Sequence, residues 1–339
     1  MRPIDSRRPR ARATSSSLCR CATSTTSSAR PPRSWSARRL PDAWLASYPG
    51  VREHEPLARH SWYRIGGRAR YFLELADDAA LPKLLARLDR DQQPYLVIGA
   101  ATNSLFAAAE LPGLTIKLVT RRLSIAGDVV SVSAGYLMPK LAAETAKAGR
   151  AGLEFGAGVP GTVGGSIFGN AGAFGGEVKS SLISADVIDR QGRRHTMTAD
   201  ECAFGYRDSV FKTAREGWAI VSARFRTTSE APRVVRARLL EVQTHRRATQ
   251  PIEQRSLGST FKNPPGEAAG RLIDACGLKG TRIGGAQISV KHANFIVNLG
   301  GATADDVLAL MAEMRHRVFE RFGIELEPEV RVIGRAPGG

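Results

Sequence analysis

Apolar residues along this chain recur with two periods, and their alternation outlines an α+β protein. Tyr71-Phe72-Leu73-Glu74-Leu75 reads as a strand, and Leu81, Leu84, Leu85 and Leu88 then recur at helical spacing. Tyr95-Leu96-Val97-Ile98 follows as a buried strand running into Gly99, which predicts a βαβ unit with a loop at the carboxyl end of its second strand. Two β-rich stretches come next, 114–119 and 129–133, then a helix carrying Met138, Leu141, Ala142 and Thr145. Strands are predicted over 183–189 and 193–197 about a Gln191-Gly192 turn, and again over 219–226. A basic helix from Pro232 to about Arg247 puts Val235, Leu239 and Val242 on one side and connects to a smaller α+β unit. There Thr303 and Asp306 have capping-box spacing, ahead of a helix bearing Val307, Leu310, Met311, Met314 and Val318 that stops at Gly323.

Residues 149–177 break both periods. This stretch is too rich in glycine for an ordinary helix or strand, and its glycines permit close backbone approach to something bulky. A flexible linker would be polar and Ser-rich, whereas Val159, Pro160, Val163, Ile167 and Phe174 punctuate this one. Backbone packed along a flat, extended cofactor explains it better. The organisation expected is a disordered basic tail over 1–45, order from about Leu57, a bipartite body over 57–228 divided near 120, and a C-terminal unit over 229–335.

Charge changes this picture little. The chain of 339 residues carries a net +17, but residues 1–40 hold ten arginines against one acid, Asp5, which leaves +8 for the rest. A moderately basic body suits an anionic small molecule as well as it suits a nucleic acid. The Arg-, Ser- and Thr-rich start reads either as a transit peptide or as an extension from an upstream start. Cys19, Cys21, Cys202 and Cys276 form no CxxC pair, and the six histidines show no metal-ligand spacing, so no metal is expected. No apolar run reaches the roughly 18 residues of a membrane span, which points to a cytoplasmic, soluble protein.

Five motifs could carry chemistry. Gly99-Ala100-Ala101-Thr102-Asn103-Ser104 follows a buried strand, where backbone N–H groups can cradle a pyrophosphate; an ordinary tight turn is the plainer alternative. The second motif, with Gly158, Pro160, Gly161, Thr162, Gly164, Gly165, Asn170 and Gly172, is the candidate cofactor wall. In Gly205-Tyr206-Arg207-Asp208, Arg207 could offer its planar fork to a substrate carboxylate, or simply form a surface ion pair. Ser259 in Gly258-Ser259-Thr260-Phe261-Lys262-Asn263 and Glu329 in Leu326-Glu327-Pro328-Glu329-Val330-Arg331 are, in isolation, a loop cap and a solvated strand residue. His292 either contacts substrate or caps a turn.

In this order the motifs resemble the UDP-N-acetylenolpyruvoylglucosamine reductases (MurB). The similarity starts at Trp62-Tyr63-Arg64-Ile65-Gly66-Gly67 and passes through Gly152-Leu153-Glu154-Phe155, the glycine-rich wall, Gly205–Lys212, Gly258–Pro264, Ala269–Asp274 and Gly277–Gly280 to Leu326–Arg331. The short interval between Arg207 and Ser259 matches type II members, which lack an extra substrate-covering tyrosine loop. The resemblance implies an FAD-binding body of the vanillyl-alcohol-oxidase/PCMH type with a substrate-binding domain, and a monomer acting on a UDP-sugar in peptidoglycan precursor synthesis. It implies non-covalent FAD, reduced by NADPH, with hydride then passing to the enolpyruvyl ether. Arg207 and Glu329 would sit at the substrate carboxylate and Ser259 would donate the proton. Gly99, Thr102, Asn103, Ser104, the wall residues and Arg331 would hold FAD, and Tyr206, Lys262, Asn263 and possible turn cap His292 the substrate. The loop departs from the family's Gly-x-Gly-Ser-Asn at Ala101, whose methyl is expected to resist positive φ and crowd a phosphate. A different flavin oxidoreductase of the same fold, and a nucleic-acid binder using the basic tail, are the competing readings.

Overall fold

The computed structural model describes Leu40, Trp44, Leu45 and residues 47–334. The transit-peptide and extension readings of the start therefore fall outside the described residues up to 39. The boundary at 45 does need correction: Leu40 and Trp44 are fully buried against Leu81, Leu84, Leu85 and Leu88. Order also begins before Leu57, because Arg52–Pro56 pairs antiparallel with Arg68–Leu75. That edge strand reads Arg-Glu-His-Glu-Pro, which offers no apolar alternation to find.

A first sheet runs in the order Arg52–Pro56, Arg68–Leu75, Glu110–Leu118, Tyr95–Ile98, with helix Leu81–Arg90 crossing between strands. The two strands of the expected βαβ unit are parallel but not neighbours, since Glu110–Leu118 lies between them and pairs with both. Leu111, Leu114, Ile116 and Leu118 of that strand are buried, as suits a central position. A second, antiparallel sheet has the order Arg194–Thr198, Leu182–Ile188, Ala219–Arg226, Val129–Ser133, Leu123–Ala126. Its inner face packs with Met138 and Leu141 of helix Met138–Lys147 and with Val163 and Ile167 in one apolar cluster. Helix Pro232–Thr249 buries Val235 and Leu239 against Ala142, Ala146 and Ala157.

The C-terminal unit is a four-stranded antiparallel sheet, Arg255–Ser256, Ile296–Asn298, Ala286–Ile288, Arg282–Ile283, backed by helices Ala269–Ala275 and Ala304–Phe322. The long helix is closed by the reciprocal Thr303–Asp306 capping box and by left-handed Gly323 at φ 66°. Its chain then returns to the first glycine loop. Arg331–Ile333 pairs in parallel with Ser104–Phe106, a contact across more than two hundred residues.

One buried carboxylate pins the turn at the end of the second sheet. Asp189 accepts from the Arg193 backbone N–H at 2.8 Å, Arg193 Nε at 2.7 Å and His195 Nε2 at 2.9 Å. Burial alone would raise its pKa, but the hydrogen bonds from His195 and Arg193 outweigh burial and pull it down to about 2. A depressed carboxyl stabilises the fold above its unfolded pKa of roughly 4 and loses that contribution as pH falls toward its folded value. Asp189→Asn is therefore expected to cost roughly 2 kcal/mol at neutral pH. Denaturant unfolding of the two proteins should show the gap narrowing between about pH 4 and pH 2, and a gap independent of pH would contradict this account.

Candidate active site

The two glycine loops are built against each other. A Cβ on Gly99 would stand 2.1 Å from Thr162 Oγ1, and one on Gly161, at φ 114°, would stand 2.6 Å from Thr102 Oγ1. Both positions thus need glycine because a threonine of the other loop occupies the space. Thr102 Oγ1 donates to the Pro160 carbonyl at 3.2 Å, closing the contact. The amides of Ala100, Ala101, Thr102 and Asn103 donate to no protein acceptor among the described residues, so the first loop presents a row of N–H groups suited to phosphate oxygens. Ser104 begins the short strand that pairs with Arg331.

Ala101 does not behave as its sequence context suggests. It adopts φ 49°, and its methyl is buried among Leu57, Phe72, Ile98 and Phe106. The methyl packs into that apolar cluster, whose contacts offset the strain of a left-handed alanine. The glycine-rich run also contains a helix that its composition argued against. Val163–Phe168 is α-helical, with Thr162 as N-cap accepting from the Gly165 N–H at 3.3 Å. Gly164 fits because a Cβ there would meet Ala134 Cβ at 2.9 Å.

Asn170 is corrected as a cofactor contact. It is fully buried, and its amide nitrogen donates to Glu177 Oε2 and the Gly205 carbonyl, both at 2.9 Å, while its oxygen accepts from the Lys179 N–H at 3.1 Å. Asn170 instead ties the glycine wall to the Arg207 turn. Gly158 lies under the Phe174 ring, where a Cβ would meet Cε2 at 2.8 Å, and Gly165 and Pro160 are exposed.

Three segments distant in sequence meet at Arg207 and Glu329. Arg207 Nε donates to Glu329 Oε1 at 2.9 Å, and Nη2 donates to the Gly172 carbonyl at 2.7 Å. Both side chains are about a fifth to a quarter exposed, at 24% and 19%, so they are accessible to solvent and not sealed in the core. Burial pushes the Glu329 carboxyl up, and the opposing pull of Arg207, Lys212 and Lys262 does not cancel it. The Glu329 N–H donates to the Thr260 carbonyl at 2.9 Å, which sets Ser259 one residue from the backbone contact that presents Glu329. Asn103 Nδ2 reaches the Glu329 carbonyl at 3.0 Å, linking the first glycine loop to the same point. Arg331 is exposed as a residue, yet the protein around its guanidinium desolvates it and lowers its pKa. Its guanidinium lies 5.0 Å from the Phe168 ring centroid.

The remaining candidates sit at the rim or hold the frame. Lys262 Nζ is 2.5 Å from Glu327 Oε1. Tyr206 is 53% exposed, with its hydroxyl 3.5 Å from the Asn263 N–H, so its ring is available to a ligand. The Asn263 side-chain oxygen accepts from the Ala269 N–H at 3.1 Å and so helps start the helix that follows. His292 takes the turn-capping role, with Nδ1 accepting from the Asn294 N–H at 3.2 Å and its ring against Phe295. Reading the sequence missed Lys212, whose ammonium donates to the Arg207 carbonyl, and Phe168, which packs under Arg331. Neither has a spacing signal, because both act through tertiary contacts.

The two loops give opposite expectations on substitution. Gly161→Ala should lower flavin content and thermal stability, since φ 114° is strained for alanine and its methyl would strike Thr102. Ala101→Gly should change stability by less than about 1 kcal/mol, because relief of left-handed strain offsets the lost methyl burial. Flavin absorbance per protein and melting temperature of the two variants check this; matching effects would contradict the packing argument.

Comparisons with known proteins bear on the family and the fold. Residues 69–198 match the FAD binding domain model, and residues 250–333 match the model of the UDP-N-acetylenolpyruvoylglucosamine reductase C-terminal domain. UDP-N-acetylenolpyruvoylglucosamine reductase of Rubrobacter xylanophilus is 43% identical over 289 residues, covering 85% of this chain and 96% of that protein. The protein of that name from Rhodopseudomonas palustris strain HaA2 is 43% identical over 288 residues, covering 84% and 92%. The crystal structure of the Thermus caldophilus reductase superposes with a TM-score of 0.71 at 36% identity, covering 82% of this chain and 97% of that one. With its FAD-binding domain, its reductase C-terminal domain and relatives matched over nearly their whole length, the chain belongs to the UDP-N-acetylenolpyruvoylglucosamine reductase family.

Proposed function

We propose that this enzyme reduces the enolpyruvyl ether of UDP-N-acetylglucosamine to the D-lactyl ether of UDP-N-acetylmuramate, with NADPH as reductant. The reaction would be a cytoplasmic step of peptidoglycan precursor synthesis. The observation that carries the reading is the convergence of Arg207 and Glu329, on segments 122 residues apart, beside the loop bearing Ser259. A division into an FAD-binding body that takes in the strand Arg52–Pro56 and runs to 228, and a substrate-binding unit over 229–335, accompanies it. The enzyme would act as a monomer.

The residues present fit a non-covalently held FAD. Among the described residues the amides of Ala100–Asn103 meet no protein acceptor and, with the Thr102 hydroxyl, suit its pyrophosphate, while exposed Pro160 and Gly165, the latter in the short helix Val163–Phe168, leave room for close approach. When bound, the flavin supplies hydride to the methylene carbon of the substrate. Negative charge then develops on the neighbouring carbon and spreads into its carboxylate. Arg207 would meet that charge with the edge of its guanidinium not engaged by Glu329 or Gly172. Glu329, whose carboxyl keeps its proton above the ordinary carboxylate range, would donate a hydrogen bond to the same group. The Ser259 hydroxyl would give its proton to the charged carbon, forming a C–H bond, and recover one from solvent. Tyr206 and Lys262 at the rim suit the uracil or sugar and the diphosphate, respectively.

Two measurements test this. Purified protein should be yellow, release FAD on denaturation and oxidise NADPH in the presence of UDP-N-acetylglucosamine enolpyruvate. Turnover of alcohols or sugars with oxygen in place of that substrate would favour an oxidase of the same fold. Ser259→Ala should leave flavin reduction by NADPH within about twofold of wild type, yet slow flavin reoxidation by substrate by at least about 100-fold. Stopped-flow absorbance separates the two steps, and equal loss in both removes the role given to Ser259.

A further inference from the structure

We propose that Lys212 is a positioning residue, whose ammonium clamps the Arg207 carbonyl and fixes the left-handed turn that aims the Arg207 guanidinium between Glu329 and Gly172. The inference rests on the reading of Arg207 just given and adds the means by which that side chain is held. Gly205 and Asp208 exchange backbone hydrogen bonds at 3.1 and 3.3 Å, closing a tight turn with Tyr206 and Arg207 at its centre. Arg207 occupies the third position of the turn at φ 54°, where such turns favour glycine. A bulky residue kept in that conformation is strained, and strain persists only where surrounding contacts over-determine it.

The contacts that do so are visible. On one side Asn170 Nδ2 holds the Gly205 carbonyl at 2.9 Å. On the other, the 3₁₀ turn Val210–Lys212 brings the Lys212 side chain back over its own loop, so that Nζ donates to the Arg207 carbonyl. That carbonyl is its close partner, because the Asp208 carboxylate is 4.0 Å away and the Phe168 ring centroid 6.0 Å. Among the described residues Lys212 forms no ion pair within 4.0 Å with Glu329 or Glu327, so beyond its weaker through-space pull on the Glu329 carboxyl its hold on the geometry of the Arg207–Glu329 pair passes through the backbone of the turn. Rotation of the Arg207 peptide would carry its side chain away from both Glu329 and the Gly172 carbonyl. A displacement of about 1 Å at such a group can cost on the order of 100-fold in rate.

The test is a double-mutant cycle on full-length, FAD-loaded enzyme, read by stopped-flow reoxidation of the reduced flavin with substrate. Lys212→Met keeps the aliphatic stem and removes the donors. It is expected to slow reoxidation about 10- to 100-fold while shifting substrate KM by less than about threefold. In an Arg207→Ala background the same substitution should add less than about twofold, because no guanidinium remains to aim. An equal loss in both backgrounds, a loss confined to KM, or wild-type rates in Lys212→Met each overturn the proposal. If Arg207→Ala alone leaves reoxidation intact, the active-site reading falls and this proposal with it; additivity beside a slow Arg207→Ala overturns this proposal alone. Should Lys212→Met lose its flavin, the cycle is run with Lys212→Arg, which keeps the charge but moves it. Non-additivity with Arg207→Ala is again expected, and additivity overturns the clamp.

Discussion

The contact between Arg207 and Glu329 is the constraint around which this site is organised. It joins the Gly205–Asp208 turn to the last segment before the C-terminal strand, at a separation of 2.9 Å. Glu329 is too poorly solvated to ionise as readily as a surface carboxylate, and its arginine partner does not fully compensate. A half-buried pair of this kind contributes little net stability, because desolvation of both charges offsets their attraction. Its value lies in geometry: the guanidinium is fixed by two partners before any ligand arrives, as preorganised electrostatic stabilisation requires.

The supports of the pair all engage backbone groups. The Glu329 amide is held by Thr260 and its carbonyl by Asn103. Gly172 anchors the far end of Arg207, and Asn170, a buried strut with three internal bonds, joins the glycine wall to the turn. Parallel pairing of Arg331–Ile333 with Ser104–Phe106 then locks the C-terminal segment beside the first glycine loop. Candidate cofactor-binding and substrate-binding residues are in this way built into one hydrogen-bonded frame. Ala101 and Arg207 both adopt a positive φ within segments tied to that frame.

The glycine-rich run illustrates how composition can be read correctly in kind and wrongly in detail. Its apolar punctuation marked it as packed, and Val163 and Ile167 are indeed fully buried. Its glycines mainly admit the neighbouring loop: Gly99 and Gly161 each make room for a threonine of the other. The short helix at Val163–Phe168 escaped notice because two glycines argue against helix by propensity, while a threonine cap and tertiary packing override it.

Local patterns in the sequence were enough to locate the long helices, most strands and the capping box at Thr303, because these depend on side chains a few residues apart. Ordered motifs likewise sufficed to indicate the family, and two of the residues they marked, Arg207 and Glu329, meet in the structure. Only the tertiary structure decided that Glu110–Leu118 would lie between the two strands of the βαβ unit, that Leu40 and Trp44 would enter the core, and that Ala101 would join an apolar cluster at positive φ. It also decided that Asn170 would brace the site from within and that Lys212 would reach the Arg207 carbonyl. Each of these depends on which distant backbone arrives next to a residue, and no local period of a sequence encodes that.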